Sequence, residues 1–142
     1  MKFRRLLEFR KQQEQQAKDV LSLRIAEFRE ELNRLQRLQD ELLQLENMLL
    51  QEVKFPAALL RQYSCYLDRL QDRIEEQLEE VERSRDRVRK AREKWEGCRV
   101  EKEKMEKLVE KWEERQRERE NILAQRFLDE MSIFRFAEGK ES

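Results

Sequence analysis

Histidine is absent from the 142 residues, and glycine and proline together contribute only Gly97, Gly139 and Pro56. Without histidine the commonest general base and metal ligand is missing, so His-dependent triads and ordinary zinc sites cannot be assembled. Two glycines and one proline cannot supply the turns of a multi-stranded sheet, which excludes a sandwich, a barrel or a Rossmann-type enzyme. A mean hydropathy of −1.07 leaves no thick core. No apolar run approaches the ~20 residues that cross a bilayer. The opening Met1-Lys2-Phe3-Arg4-Arg5 leads into charged sequence with no signal-peptide h-region, so the expected location is the cytoplasm. The 32 basic and 32 acidic side chains cancel, which gives no global field to draw in nucleic acid or an anionic membrane surface. The two cysteines, Cys65 and Cys98, lack metal-ligand spacing and read as reduced thiols. No nucleotide loop and no nucleophile with a base is visible, so no catalytic, cofactor or metal site and no small-molecule substrate is expected.

What the chain does have is charge and heptads. Asp, Glu, Lys and Arg make up 45% of it and hydrophobic residues 38%, the composition of a long helix or coiled coil. In the first half Leu7, Leu21, Phe28, Leu35, Leu42 and Leu49 share one seven-residue register, interrupted only by Glu14. The companion position holds Leu38 and Leu45 but also Arg24 and Glu31, with Ile25 and Leu32 one step over, so the stripe is expected to broaden and shift there. In the second half one seam position carries Leu67, Ile74, Val81, Val88, Trp95, Lys102, Val109 and Gln116. The other carries Tyr63, Leu70, Gln77, Ser84, Ala91, Cys98, Met105, Trp112 and Arg119. Pro56 divides the two frames, and the residue before a proline is pushed out of the helical region. The pattern predicts an all-α fold in a single domain over 1–142: helix 1 over about 3–52, a turn at about 53–57 and helix 2 over about 58–136. A connection this short favours an antiparallel two-helix coiled coil, a helical hairpin whose second helix is the longer. Folding back at about residue 56 pairs positions whose numbers add to roughly 113.

A charged hairpin recognises partners through apolar residues that its own seam leaves over. One cluster surrounds the turn: Phe55, Tyr63, Tyr66, Leu67 and Leu70. A second is the C-terminal overhang, Ile122, Leu123, Phe127, Leu128, Met131, Ile133, Phe134 and Phe136, which the N-terminal Phe3, Leu6, Leu7 and Phe9 are expected to cover in part or to join. Charge polarity is the third feature: Asp72 to Glu82 has a net charge of −5 and Glu82 to Lys94 one of +4. Without interleaved aromatics the basic stretch does not read as a nucleic-acid site, and pairing along helix 2 and across to helix 1 is its expected use.

The opening Met1-Lys2-Phe3-Arg4 with the Leu- and Gln-rich sequence after it, the mid-chain break, Tyr63-x-x-Tyr66-x-x-x-Leu70, Lys94-Trp95, the Lys/Glu-rich run with Leu108, and Leu128-Asp129-Glu130 follow one another in an order that resembles the FliJ family. FliJ proteins are soluble components of the bacterial flagellar type III export apparatus. The resemblance covers nearly the whole chain. It implies a non-enzymatic stalk, similar to the central stalk of rotary ATPases, that promotes assembly and activity of the hexameric export ATPase FliI. It also implies contact with the export-gate protein FlhA and with flagellar export chaperones, and association with the membrane only through the apparatus. On this chain the ATPase would meet Phe3, Leu6, Leu7, Phe9, Ile122, Leu123, Phe127, Leu128 and Met131. The gate would meet Leu38, Leu42, Leu45, Leu49, Tyr63, Tyr66 and Leu70. Two other readings fit the heptads: the equivalent stalk of a virulence-type injectisome, and an unrelated homodimeric coiled-coil scaffold, against which Pro56 argues.

Overall fold

Unbroken heptads on either side of a proline dictate two long helices, and these form in the computed structural model, which describes residues 2–51 and 56–141. Helix α1 spans Lys2–Gln51 and α2 spans Ala57–Glu141; there is no strand among the described residues. Together they make an antiparallel helical hairpin with α2 the longer. The break expected at Val53, Lys54 and Phe55 lies outside the described residues. The Pro56 carbonyl accepts the Leu60 N–H at 3.0 Å, the first helical bond of α2, at a place where proline has no N–H to lose. Gly97 sits inside α2 without interrupting it, and no described residue has positive φ. Beyond Phe136 the helix continues through Ala137 and Glu138 to Glu141, because Gly139 among good helix formers lowers helicity without ending it.

The described residues divide into two compact units. In the unit Glu14–Gly97, every seam position of the two heptad frames is buried or half-buried: Glu14, Leu21, Phe28, Leu35, Leu42 and Leu49 with Ala17, Arg24, Glu31, Leu38 and Leu45 on α1, and Tyr63 through Trp95 on both frames of α2. The stripe broadens at Ile25, which is half-buried, but the expected shift does not occur. Leu32 is exposed, while Arg24 and Glu31 keep the seam positions. They can stay because they are paired. The Gln77 amide donates to Glu31 Oε2 at 2.6 Å and to the Glu31 carbonyl at 3.0 Å, and Arg24 donates to Glu27 at 3.0 Å.

The register also differs from the expected sum of 113. Glu41 with Tyr66, Glu31 with Gln77, and Glu14 with Trp95 add to 107, 108 and 109. The end of α1 at Gln51 and the start of α2 at Ala57 themselves add to 108. Longer side chains reach further: the Arg85 guanidinium lies 5.9 Å from the Phe28 ring centroid, a pair adding to 113. Side chains lean towards the start of their own helix, so in antiparallel helices they lean towards each other. The core here is one side chain deep: Ala17, Leu35, Leu45, Leu70, Val81 and Ala91 are buried along it, and Ser84 is a buried polar residue in the same seam. Along α2 the acidic and basic blocks are tied together by Arg83 and Arg87 on Glu80 and Arg85 on Glu82, and within the basic block Arg89 and Lys90 pair with Asp86. These exposed pairs contribute little each.

The other unit comprises residues 1–13 and 98–142. Val109 is its buried apolar residue, flanked by half-buried Leu7, Cys98, Lys102, Met105, Trp112 and Gln116. Arg4 pairs with Glu113 at 3.1 Å across the two segments. From residue 117 to residue 139 every side chain of α2 is exposed.

Candidate functional site

Two surfaces remain after the seam is accounted for, one in each unit. In the unit of the two termini, the start of α1 lies beside Arg4's partner Glu113, along an open groove lined by Arg4, Trp112, Glu113, Gln116, Arg117 and Glu120. Helix α1 therefore begins too late along α2 to shield the residues beyond Glu120. Ile122, Leu123, Phe127, Leu128, Met131, Ile133, Phe134 and Phe136 are all exposed, Ile133 to 70%. The expectation that the N-terminal residues cover part of this cluster is not met: Phe3, Leu6 and Phe9 are themselves exposed and only Leu7 is half-buried. At about 100° per residue, Ile122, Leu123, Phe127, Met131 and Leu128 spread over more than half of the helix circumference. A helix apolar on so many sides is suited to being enclosed, not to lying on a flat face.

In the unit Glu14–Gly97 the residues expected at the gate surface divide by their heptad positions. Leu45 and Leu70 are in the seam, 7% and 1% exposed, so their side chains are occupied by the facing helix. Leu38, Leu42, Leu49 and Tyr63 are half-buried at the same seam. Tyr66 flanks it and is 42% exposed; its hydroxyl donates to Glu41 Oε1 at 2.8 Å. That bond to a carboxylate raises the phenol above its ordinary value, with desolvation acting the same way and Arg73 opposing. Exposed Leu43, Met48 and Leu50 on the last turns of α1, and Leu59 and Leu60 on the first turn of α2, extend the apolar surface beside it. Those five were not singled out from the sequence. Their signal was there for Leu43, Met48, Leu50 and Leu59, large apolar residues off the heptad frame, whereas Leu60 continues the frame of Leu67 and is nonetheless exposed.

The ionic features are electrostatic and local. Glu80 is held below the ordinary carboxylate value by its bond from Arg83, and Asp86 by the charge of Arg89. Both cysteines carry free thiols, Cys65 exposed and Cys98 half-buried. Among the described residues no group of Cys, Asp and Glu is placed to hold a metal ion, and no helix is long and apolar enough to cross a membrane.

A family model, the flagellar FliJ protein, matches residues 1–141. The chain belongs to the FliJ family. No curated protein and no solved structure matches it. Membership makes it a component of flagellar biogenesis and type III protein export, within a family of non-catalytic export proteins. The antiparallel hairpin fits that assignment.

Proposed function

We propose that this protein is the stalk and adaptor of the flagellar export ATPase, acting through two separate surfaces and no chemistry of its own. The observation that carries this reading is the run Ile122–Phe136, apolar on several sides and exposed along its whole length. Such a segment is stable in water only with a partner around it, and the ring of the hexameric ATPase FliI has that form. Phe3, Leu6, Leu7 and Phe9 belong to the same surface. A single helix inside a six-fold ring makes unequal contacts with its subunits, so binding is spread over many modest interactions. The second surface, centred on Tyr66 with its neighbours Leu38, Leu42, Leu49 and Tyr63, meets the export gate FlhA, and export chaperones dock on the same adaptor. Leu45 and Leu70 support this surface from beneath. The protein works in the cytoplasm and reaches the inner membrane only through the apparatus.

The test is a titration into the purified export ATPase of the same organism, following ATP hydrolysis and hexamer formation. Stimulation should saturate near one chain per six ATPase subunits, and a chain lacking residues 120–142 should give none while still binding the gate. An unchanged hydrolysis rate and no hexamers, with the helices intact, would refute the stalk reading.

A further inference from the structure

The seams of α1 and α2 in the unit Glu14–Gly97 repeat every seven residues without a break. Apolar contact alone therefore does not choose between alignments one heptad apart. In the observed register Leu42 falls opposite Leu67, Leu35 opposite Ile74 and Phe28 opposite Val81. If each α1 residue met the α2 residue seven positions further on, Leu42 would fall opposite Ile74, Leu35 opposite Val81 and Phe28 opposite Val88. This frame would still be apolar, while in the companion frame Leu38 would move from Leu70 to Gln77 and Arg24 from Ser84 to Ala91. Discrimination rests on polar contacts: Gln77 on Glu31, Trp95 on Glu14 and Tyr66 on Glu41.

The Glu31 side chain is only 14% exposed, and within the seam its donor is Gln77. Ser84 stands one heptad beyond Gln77, is 2% exposed, and has a hydroxyl with no hydrogen-bond partner. A slide of one heptad, about 10 Å along the axis, brings Ser84 to the place of Gln77. The carboxylate then gains a hydroxyl donor and the hydroxyl an acceptor. On the flank, Glu41 exchanges Tyr66 for Arg73. Arg34 gains nothing new, since in the observed alignment it already pairs with Glu31 and acts on Glu80, while Glu27 is held by Arg24. Against these stand the loss of the Gln77 and Trp95 bonds and the lengthening of the connection by seven residues. Those residues would come from Ala57–Tyr63, exposed except for half-buried Tyr63.

We infer that Glu31 and Gln77 form a register latch: the hairpin has a second alignment one heptad along, in which Glu31 binds Ser84, and this pair holds the molecule in the first. A partner that separates Gln77 from Glu31 releases the slide, so binding on the flank of this unit can be converted into axial movement of one helix against the other.

Disulfide trapping tests the latch in a full-length chain carrying Cys65→Ser and Cys98→Ser. Leu42→Cys with Leu67→Cys reports the first alignment, and Leu42→Cys with Ile74→Cys the second. With Gln77 present the first cross-link should dominate. Gln77→Leu should raise the second about tenfold, the shift expected from losing one hydrogen bond to a charged group, and adding Ser84→Ala should reverse the rise. Should circular dichroism show Gln77→Leu to be unfolded, Glu31→Leu with Gln77→Leu removes the latch while leaving no buried charge unpaired, and should raise the second cross-link above its native yield while the Trp95 and Tyr66 bonds still favour the first. Retention of the first cross-link alone, at the native yield, in the folded variant overturns the inference.

Discussion

Leu70 and Tyr66 lie four residues apart on α2, yet their surroundings separate their roles. Leu70 is the most deeply buried leucine of the chain, and Tyr66 is anchored by one hydrogen bond at the seam's edge. Truncating a buried leucine costs about 2–5 kcal/mol, with the lower values where the surroundings can collapse into the space. A core one side chain deep collapses easily, so Leu70→Ala should cost about 2–3 kcal/mol in urea unfolding. Tyr66→Ala should leave the unfolding midpoint nearly unchanged and weaken gate binding. In the sequence both stood in one aromatic and leucine cluster beside the turn. The heptad frame alone tells them apart, because it assigns Leu70 to the seam and Tyr66 to the position beside it.

For the helices themselves, the seam was legible almost residue by residue, since a period of seven sustained over many turns admits few other arrangements. The register was less so. It depends on where the connection closes and how far each side chain leans, and neither leaves a mark in the hydrophobic pattern. The polar seam residues were the other obscurity. Arg24 and Glu31 looked like reasons for the stripe to move, whereas Glu27 and Gln77 supply partners that let them stay. Gly97 tests the continuity of α2. A Cβ added there would meet nothing within 4 Å, and the position is exposed and helical. Gly97→Ala should therefore stabilise the protein by about 0.5–1 kcal/mol, seen as a higher melting temperature with unchanged ATPase stimulation.

Across the whole molecule the 32 acidic and 32 basic side chains balance at neutral pH, and acidification removes only one side of that balance. Glu80 and Asp86 titrate below their ordinary values of 4.5 and 3.8 because arginine stands beside each. A carboxylate depressed on folding adds stability that is complete above its unfolded value and is lost as the pH falls through its folded one. The melting temperature should thus hold between about pH 6 and 8 and decline below about pH 4.5, with about 0.5 M salt reducing the contribution of these exposed pairs. Glu80→Gln with Asp86→Asn should flatten part of the decline. The candidate surfaces were partly legible at this scale by subtraction: once the seam is assigned, large apolar residues remain exposed at both proposed surfaces, at Tyr66 and along Ile122–Phe136. The overhang itself was legible from the expected register, which places residue 3 near residue 110, and the Arg4–Glu113 pair agrees; what the pattern left open was whether Phe3, Leu6 and Phe9 cover the C-terminal run or join it.

The bare run from Ile122 to Phe136 also bears on supply. A chain without its assembly presents aromatic and aliphatic side chains to every holdase and protease it meets, and surplus copies are the ones so exposed. On the proposed stalk reading, copies in excess of the sites that shelter this segment should turn over faster than incorporated ones, a shorter half-life in cells lacking the ATPase being the measurement.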